Sequence, residues 1–118
     1  MEDKATLNVL FVCSRNQWRS PTAERVWRKT PGIAVRSAGT SRSARRRLTG
    51  ADIEWAELIL VMEEEHKSRI MADFRDVARG KRMHVLDIPD VYQFMDPELV
   101  DLVRDKVEPL IYGDANDA

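Results

Sequence analysis

A single cysteine, Cys13, and an arginine six residues later, Arg19, bracket a stretch whose residue types suit attack on a phosphate group. The loop between them reads Ser14-Arg15-Asn16-Gln17-Trp18. It follows the apolar run Asn8 to Val12 and leads into Ser20-Pro21-Thr22-Ala23-Glu24. A strand, a tight loop and a helix N-terminus in that order aim backbone N–H groups at one point, where the helix dipole favours an anion. Ser14, Arg15, Asn16, Gln17, Trp18 and Ser20 are therefore the expected phosphate-binding residues. An ordinary lone cysteine is a small buried hydrophobe. Cys13 differs in three ways: it ends a strand, precedes a helix and has a guanidinium nearby, and each favours the thiolate, which is the nucleophile. Arg19 supplies a planar fork that matches two phosphoryl oxygens.

The loop holds no glycine, so it is not a Walker loop. Asn16 is the residue best able to take the left-handed conformation that turns amides inward. Ser20 has two readings, a helix cap and a hydrogen-bond donor to the Cys13 sulfur, and both can hold. A phosphate monoester also needs a proton donor for its leaving oxygen. Asp96 precedes Pro97 at a helix start and suits an N-cap. Asp90 follows Pro89 in a loop, beside Tyr92, and has no such duty, so it is the preferred acid. Trp18 and Tyr92 are placed at the substrate cleft.

The elements that must position these residues follow from the pattern. Thr6 to Val12 is apolar and β-branched, a buried strand. Ser20 and Pro21 open a helix that runs to about Thr30, ended by Pro31-Gly32. Ile33 to Ser37 is a second strand, and Ala38 to Leu48 an Arg-rich loop. Thr49 to Asp52 forms a capping box for a short helix to Trp55. Glu57 to Met62 is apolar enough for a central strand. Glu63-Glu64-Glu65 begin a helix to Phe74, with acids where the dipole favours them. Arg82 to Ile88 is a fourth strand. Pro89 to Met95 is a loop, and Asp96-Pro97 begins a last helix that packs Leu99, Val100, Val103, Val107 and Leu110 on the sheet. Alternation of this kind predicts an α/β fold: a small doubly wound four-stranded parallel sheet flanked by helices. Ligands then sit beyond the carboxyl ends of the strands, where Cys13 and Asp90 both lie. His66 is read as a helix-surface residue and His84 as a strand residue, neither catalytic. Trp27 and Trp55 are assigned to the core.

Composition sets the outer limits. The 118 residues suit one domain, 1–118, with 113–118 expected as a flexible tail. No apolar run approaches the ~18 residues of a membrane span, and Met1-Glu2-Asp3-Lys4 lacks a signal-peptide pattern. One cysteine forms no internal disulfide, which points to a reducing cytoplasm. Two histidines and that cysteine argue against a structural zinc site. The net charge of −1 conceals an asymmetry: residues 1–50 carry 11 Lys/Arg against 3 Asp/Glu, whereas residues 51–118 carry 8 against 17. The basic half holds the anion loop, which suits an anionic ligand without requiring nucleic acid.

Val9-Leu10-Phe11-Val12-Cys13, Asn16 and Arg19-Ser20-Pro21-Thr22-Ala23-Glu24 resemble the low-molecular-weight protein tyrosine phosphatase family. Weaker echoes are Ser37-Ala38-Gly39-Thr40, Leu58 to Met62 and Asp90-Val91-Tyr92. The resemblance implies an enzyme without cofactor or metal, acting on a phosphorylated protein or a small aryl phosphate. It implies two steps: Cys13 takes the phosphoryl group while Asp90 protonates the leaving oxygen, and a water activated by Asp90 then hydrolyses the phosphocysteine. Several positions depart from the family. Arg15 replaces a usual glycine, Trp18 stands where eukaryotic members carry a second cysteine, and Val91 replaces a proline after the acid. The segment between Gly39 and Leu48 is short, as though a helix and its loop were deleted, and keeps an Arg42 to Arg47 run.

Two rival readings use the same loop. An arsenate reductase of this fold would need an external thiol to resolve Cys13, since the chain has no further cysteine. A catalytically weak module binding phosphopeptides or nucleic acid would use Arg15, Arg19 and the Arg42 to Arg47 run. That run has no interleaved aromatics, which argues against nucleic acid. Oligomeric state is left open.

Overall fold

The computed structural model describes residues 6–113. The first strand, β1 (Leu7–Cys13), carries Val9, Phe11 and Cys13 on one face and Leu10 and Val12 on the other, all buried. A strand buried on both faces must lie inside the sheet, and the order is β2-β1-β3-β4 with every pair parallel. β2 is Ile33–Gly39, β3 Leu58–Val61 and β4 Arg82–Val85. The chain leaves β1 for one neighbour, then returns to place β3 on the other side. The connections therefore diverge at the carboxyl ends of β1 and β3, which opens a crevice there.

Helices cover both faces. Helix α1 (Arg19–Trp27) and the last helix, α5 (Pro97–Tyr112), bury Ala23, Trp27, Leu99, Val103 and Val107 against Val9 and Phe11. Helices α2 (Gly50–Trp55), α3 (Glu64–Asp73) and α4 (Arg75–Ala78) bury Ile53, Ile70 and Ala78 against Leu10 and Val12. The expected doubly wound sandwich is thus the observed fold. No described helix is long and apolar enough to cross a membrane.

Local differences from the sequence reading have physical causes. The N-cap of α1 is Trp18 rather than Ser20, because the Ser20 hydroxyl is turned toward Cys13. The capping box at Thr49 and Asp52 forms as expected. Regular pairing of β4 stops at Val85, since Asp87 takes φ 56°, yet Leu86 and Ile88 still donate to the carbonyls of Val61 and Met62. The predicted helix to Phe74 is followed at once by the short α4. Trp55 is only half-buried, with the Arg36 guanidinium stacked 4.3 Å from its ring centroid. Val100 and Leu110 are half-buried as well. Beyond Gly113, the expected tail lies outside the described residues.

Candidate active site

The loop after β1 is shaped by one residue inside it and one segment outside it. Asn16 takes φ 54° and is fully buried. Its Nδ2 donates to Ser20 Oγ and Ser37 Oγ, each at 2.9 Å, while Glu24 accepts from Ser37 Oγ. Outside, residues 40–45 tie down the loop's carbonyls. Thr40 N–H donates to Cys13 O (3.0 Å), Ser41 N–H to Ser14 O (2.9 Å) and Arg45 N–H to Arg15 O (3.0 Å), and Arg45 Nε donates to Asn16 O (3.0 Å). Four consecutive carbonyls are thus drawn outward. Among the described residues, the N–H groups of Ser14 to Trp18 donate to no backbone carbonyl. They are left to face an anion. Gly39 permits this close approach: a Cβ there would lie 2.5 Å from Ser14 O and 2.9 Å from Asn16 N.

Cys13, Arg15, Gln17, Trp18, Arg19 and Asp90 line one small cavity of about 100 Å³. Cys13 Sγ is 3.0 Å from Ser20 Oγ. Asn16 donates to that oxygen, so the hydroxyl proton turns to an acceptor: the Ala38 carbonyl lies at 3.4 Å and the sulfur at 3.0 Å, where the proton stabilises negative charge. The Arg19 guanidinium is 3% exposed; its Nη1 donates to Glu63 Oε1 (2.6 Å) and to the Ile88 carbonyl (2.9 Å). Those contacts fix its plane. Its Nε lies 3.6 Å from Oδ1 of Asp90, whose side chain is 57% exposed at the cavity mouth. Asp96 instead caps α5, accepting from Glu98 N–H at 2.9 Å. Trp18 and Arg15 are exposed at the rim. Tyr92 is not a wall of the cavity; its ring packs against the core and its hydroxyl donates to Glu98 Oε2 at 3.1 Å.

His66 corrects the sequence reading, which put it on the helix surface. It is 1% exposed. Its Nδ1 accepts from Glu63 N–H at 3.0 Å and its Nε2 lies 2.8 Å from Ser14 Oγ, so the neutral ring holds its proton on Nε2. Burial, aided by the Arg19 charge, pushes its pKa below 6.5 against the opposing pull of Glu65, Glu63 and Asp90. Glu63, Glu65 and His66 place donor atoms within 4.8 Å of one another, the spacing of a metal site. Glu63 is already paired with Arg19 and both His66 nitrogens are engaged, so this group serves the loop and the arginine.

The chain is similar to proteins of known type. The low-molecular-weight protein-tyrosine-phosphatase Etp of Escherichia coli K12 is 33% identical in an alignment covering 73% of this chain and 78% of Etp. The chain belongs to the low-molecular-weight protein-tyrosine-phosphatase family. No family model matches it. Among solved members, the tyrosine phosphatase Wzb from Escherichia coli K30 in complex with phosphate superposes with TM-score 0.71 at 25% identity, over 87% of this chain and 94% of Wzb. Vibrio vulnificus Wzb in complex with benzylphosphonate gives 0.72 at 26%, over 90% and 97%. The YwlE arginine phosphatase from Geobacillus stearothermophilus gives 0.62 at 25%, over 89% and 88%.

In this phosphatase the sequence reading found the loop and missed its supports. Glu63, His66, Ser37, Gly39 and Arg45 all touch loop residues or Arg19 from other elements. The one usable signal was positional. Glu63 to His66 follow the central strand β3 immediately, so they too must lie at the carboxyl end of the sheet.

Proposed function

We propose that the chain hydrolyses phosphomonoesters of the aryl or phosphotyrosyl type through a phosphocysteine on Cys13. The supporting observation is the shared cavity: sulfur, outward-tied loop, buried guanidinium and one carboxylate at the mouth. In the first step the Cys13 thiolate attacks phosphorus, and the bond to the leaving oxygen breaks with its electron pair on that oxygen. Asp90, in its acid form, gives that oxygen a proton. The loop N–H groups and Arg19 bind the equatorial oxygens, where charge is held in the transition state. In the second step water attacks phosphorus, Asp90 takes its proton, and the S–P bond breaks to release phosphate and restore the thiolate. The Ser20 hydroxyl stabilises sulfur as attacker and as leaving group.

The test is turnover of p-nitrophenyl phosphate in the presence of chelator. Cys13→Ser is expected to abolish turnover, and unchanged activity would end the proposal. Asp90→Asn is expected to lower kcat by about a hundredfold, within the range for a general acid, and Asp96→Asn to lower stability instead. A loss confined to Asp96→Asn would reassign the acid. The likeness to an arginine phosphatase makes phosphoarginine the second substrate to compare, and preferred turnover of it over phosphotyrosine would move the substrate class to phosphoguanidines. Arsenate reduction with glutathione would instead favour the thiol-dependent reductase.

A further inference from the structure

Gln17 is a wall of the catalytic cavity and also of a second depression of about 380 Å³ on the outer side of α1. Pro21, Arg25 and Arg28 line it at i, i+4 and i+7, one stripe of the helix. Arg45 reaches it from the segment after β2, and the exposed ring of Phe94 closes the far side. Five other arginines are matched to acids: Arg19 to Glu63, Arg36 and Arg46 to Asp52, Arg69 to Asp73, Arg79 to Asp76. Among the described residues, Arg25, Arg28 and Arg45 form no ion pair, although all three meet at this depression. The one carboxylate in its wall, Glu24, accepts from Ser37. Three guanidinium groups gathered around this single carboxylate leave an excess of positive charge, and an incoming anion offsets it.

We infer that this depression is a substrate subsite for an acidic side chain, Asp or Glu, carried by the same polypeptide as the phosphorylated residue. The inference rests on the phosphatase reading above. The spacing gives the register. Arg25 and Arg28 lie six and nine residues beyond Arg19, about 9 and 13 Å along the helix axis. An extended peptide covers about 3.3 Å per residue. The acidic residue therefore stands three or four positions from the phosphorylated one. Charges at such a rim act mainly on selectivity and are weakened by salt.

Two phosphotyrosyl peptides test this, identical except for Glu or Gln at positions three and four on both sides. At low ionic strength the parent enzyme is expected to favour the Glu peptide in kcat/KM by about five- to tenfold, the scale of one or two exposed ion pairs, and less at high salt. The double variant R25Q/R28Q is expected to lose the preference while hydrolysing p-nitrophenyl phosphate at the parental rate. Arg25→Gln alone should give a partial loss. Equal parental kcat/KM for the two peptides, or a preference kept in R25Q/R28Q, overturns the subsite. No turnover of p-nitrophenyl phosphate by the parent sinks the enzymatic reading itself. Turnover of that ester without turnover of either peptide overturns only the subsite.

Discussion

Asn16 carries two loads that a set of substitutions can separate. Its backbone sits at φ 54°, and its Nδ2 makes two buried hydrogen bonds, to Ser20 and Ser37. Its Oδ1 is buried without a partner. Asn16→Ala keeps the β-carbon in the left-handed region but loses the short polar side chain that eases it, at up to about 1 kcal/mol. It removes two hydrogen bonds worth about 1 kcal/mol each and also the unpartnered oxygen, which returns about 1 kcal/mol. The expected net loss of stability is about 1–2 kcal/mol, from those same contributions. Asn16→Gly forfeits the same bonds but fits φ 54° without steric cost, so it should be more stable than the alanine variant by about 1 kcal/mol. Asn16→Asp tolerates the backbone but turns a carboxylate toward Ser20, and so toward the Cys13 sulfur. Fully buried at that position, the charge should lower stability as well as turnover.

Urea unfolding at fixed pH gives the stability differences, and p-nitrophenyl phosphate turnover gives kcat. In the alanine variant the loop amides lose their aim, and kcat should fall by about a hundredfold, as for a misplacement near 1 Å. If the alanine variant unfolds within about 0.5 kcal/mol of the parent, the summed costs are wrong. If alanine and glycine variants are equally stable, backbone strain plays no part at this position.

Other predictions concern the supports. Gly39→Ala forces a Cβ to within 2.5 Å of a backbone oxygen of the loop, so both stability and kcat should fall, the former by about 1–3 kcal/mol. Gly32→Ala, at φ 80° with open space around it, should cost stability while leaving kcat intact, and a matching loss of kcat would refute the role given to Gly39. His66 has a lowered pKa in the folded protein, so its contribution is complete above pH 6.5 and declines as pH falls from there toward the folded value. The parent minus His66→Gln difference in unfolding free energy, followed from pH 7.5 downward, should shrink across that window. A flat difference would show that the ring does not titrate as the structure requires.

How much of the site could be read from sequence follows from how far apart its parts lie along the chain. Cys13, Asn16 and Arg19 belong to one strand–loop–helix passage, so their spacing alone implied their meeting. The left-handed residue was legible because few side chains tolerate that conformation, and no glycine was present in the loop. Glu63 and His66 were not legible in the same way. Charged neighbours Glu64, Glu65 and Lys67 make His66 look like a surface residue, and only the placement of β3 beside β1 turns it toward Ser14. Ser20 was legible in one of its two readings, the hydrogen bond with the Cys13 sulfur, and not in the other. Its propensity to cap was real, but a nearby sulfur and the Asn16 amide compete for the same hydroxyl, and they win.

The Arg42 to Arg47 run shows why composition alone misjudges function. As a charge cluster it suggested a binding face for polyanions. In the fold, Arg46 is drawn to Asp52 (2.7 Å) and to the Ser37 carbonyl (2.7 Å), while Arg45 is anchored to Asn16 O. Asp52 is held ionised by this arrangement: burial raises its pKa, but hydrogen bonds from Arg46 and Thr49 lower it further. Two of the four arginines thus fasten a shortened connection to the phosphate loop and to α2. Here the segment between Gly39 and Leu48 is held by its hydrogen bonds to the loop, to β2 and to Asp52, so the rigidity of the catalytic loop and the order of this segment depend on one another.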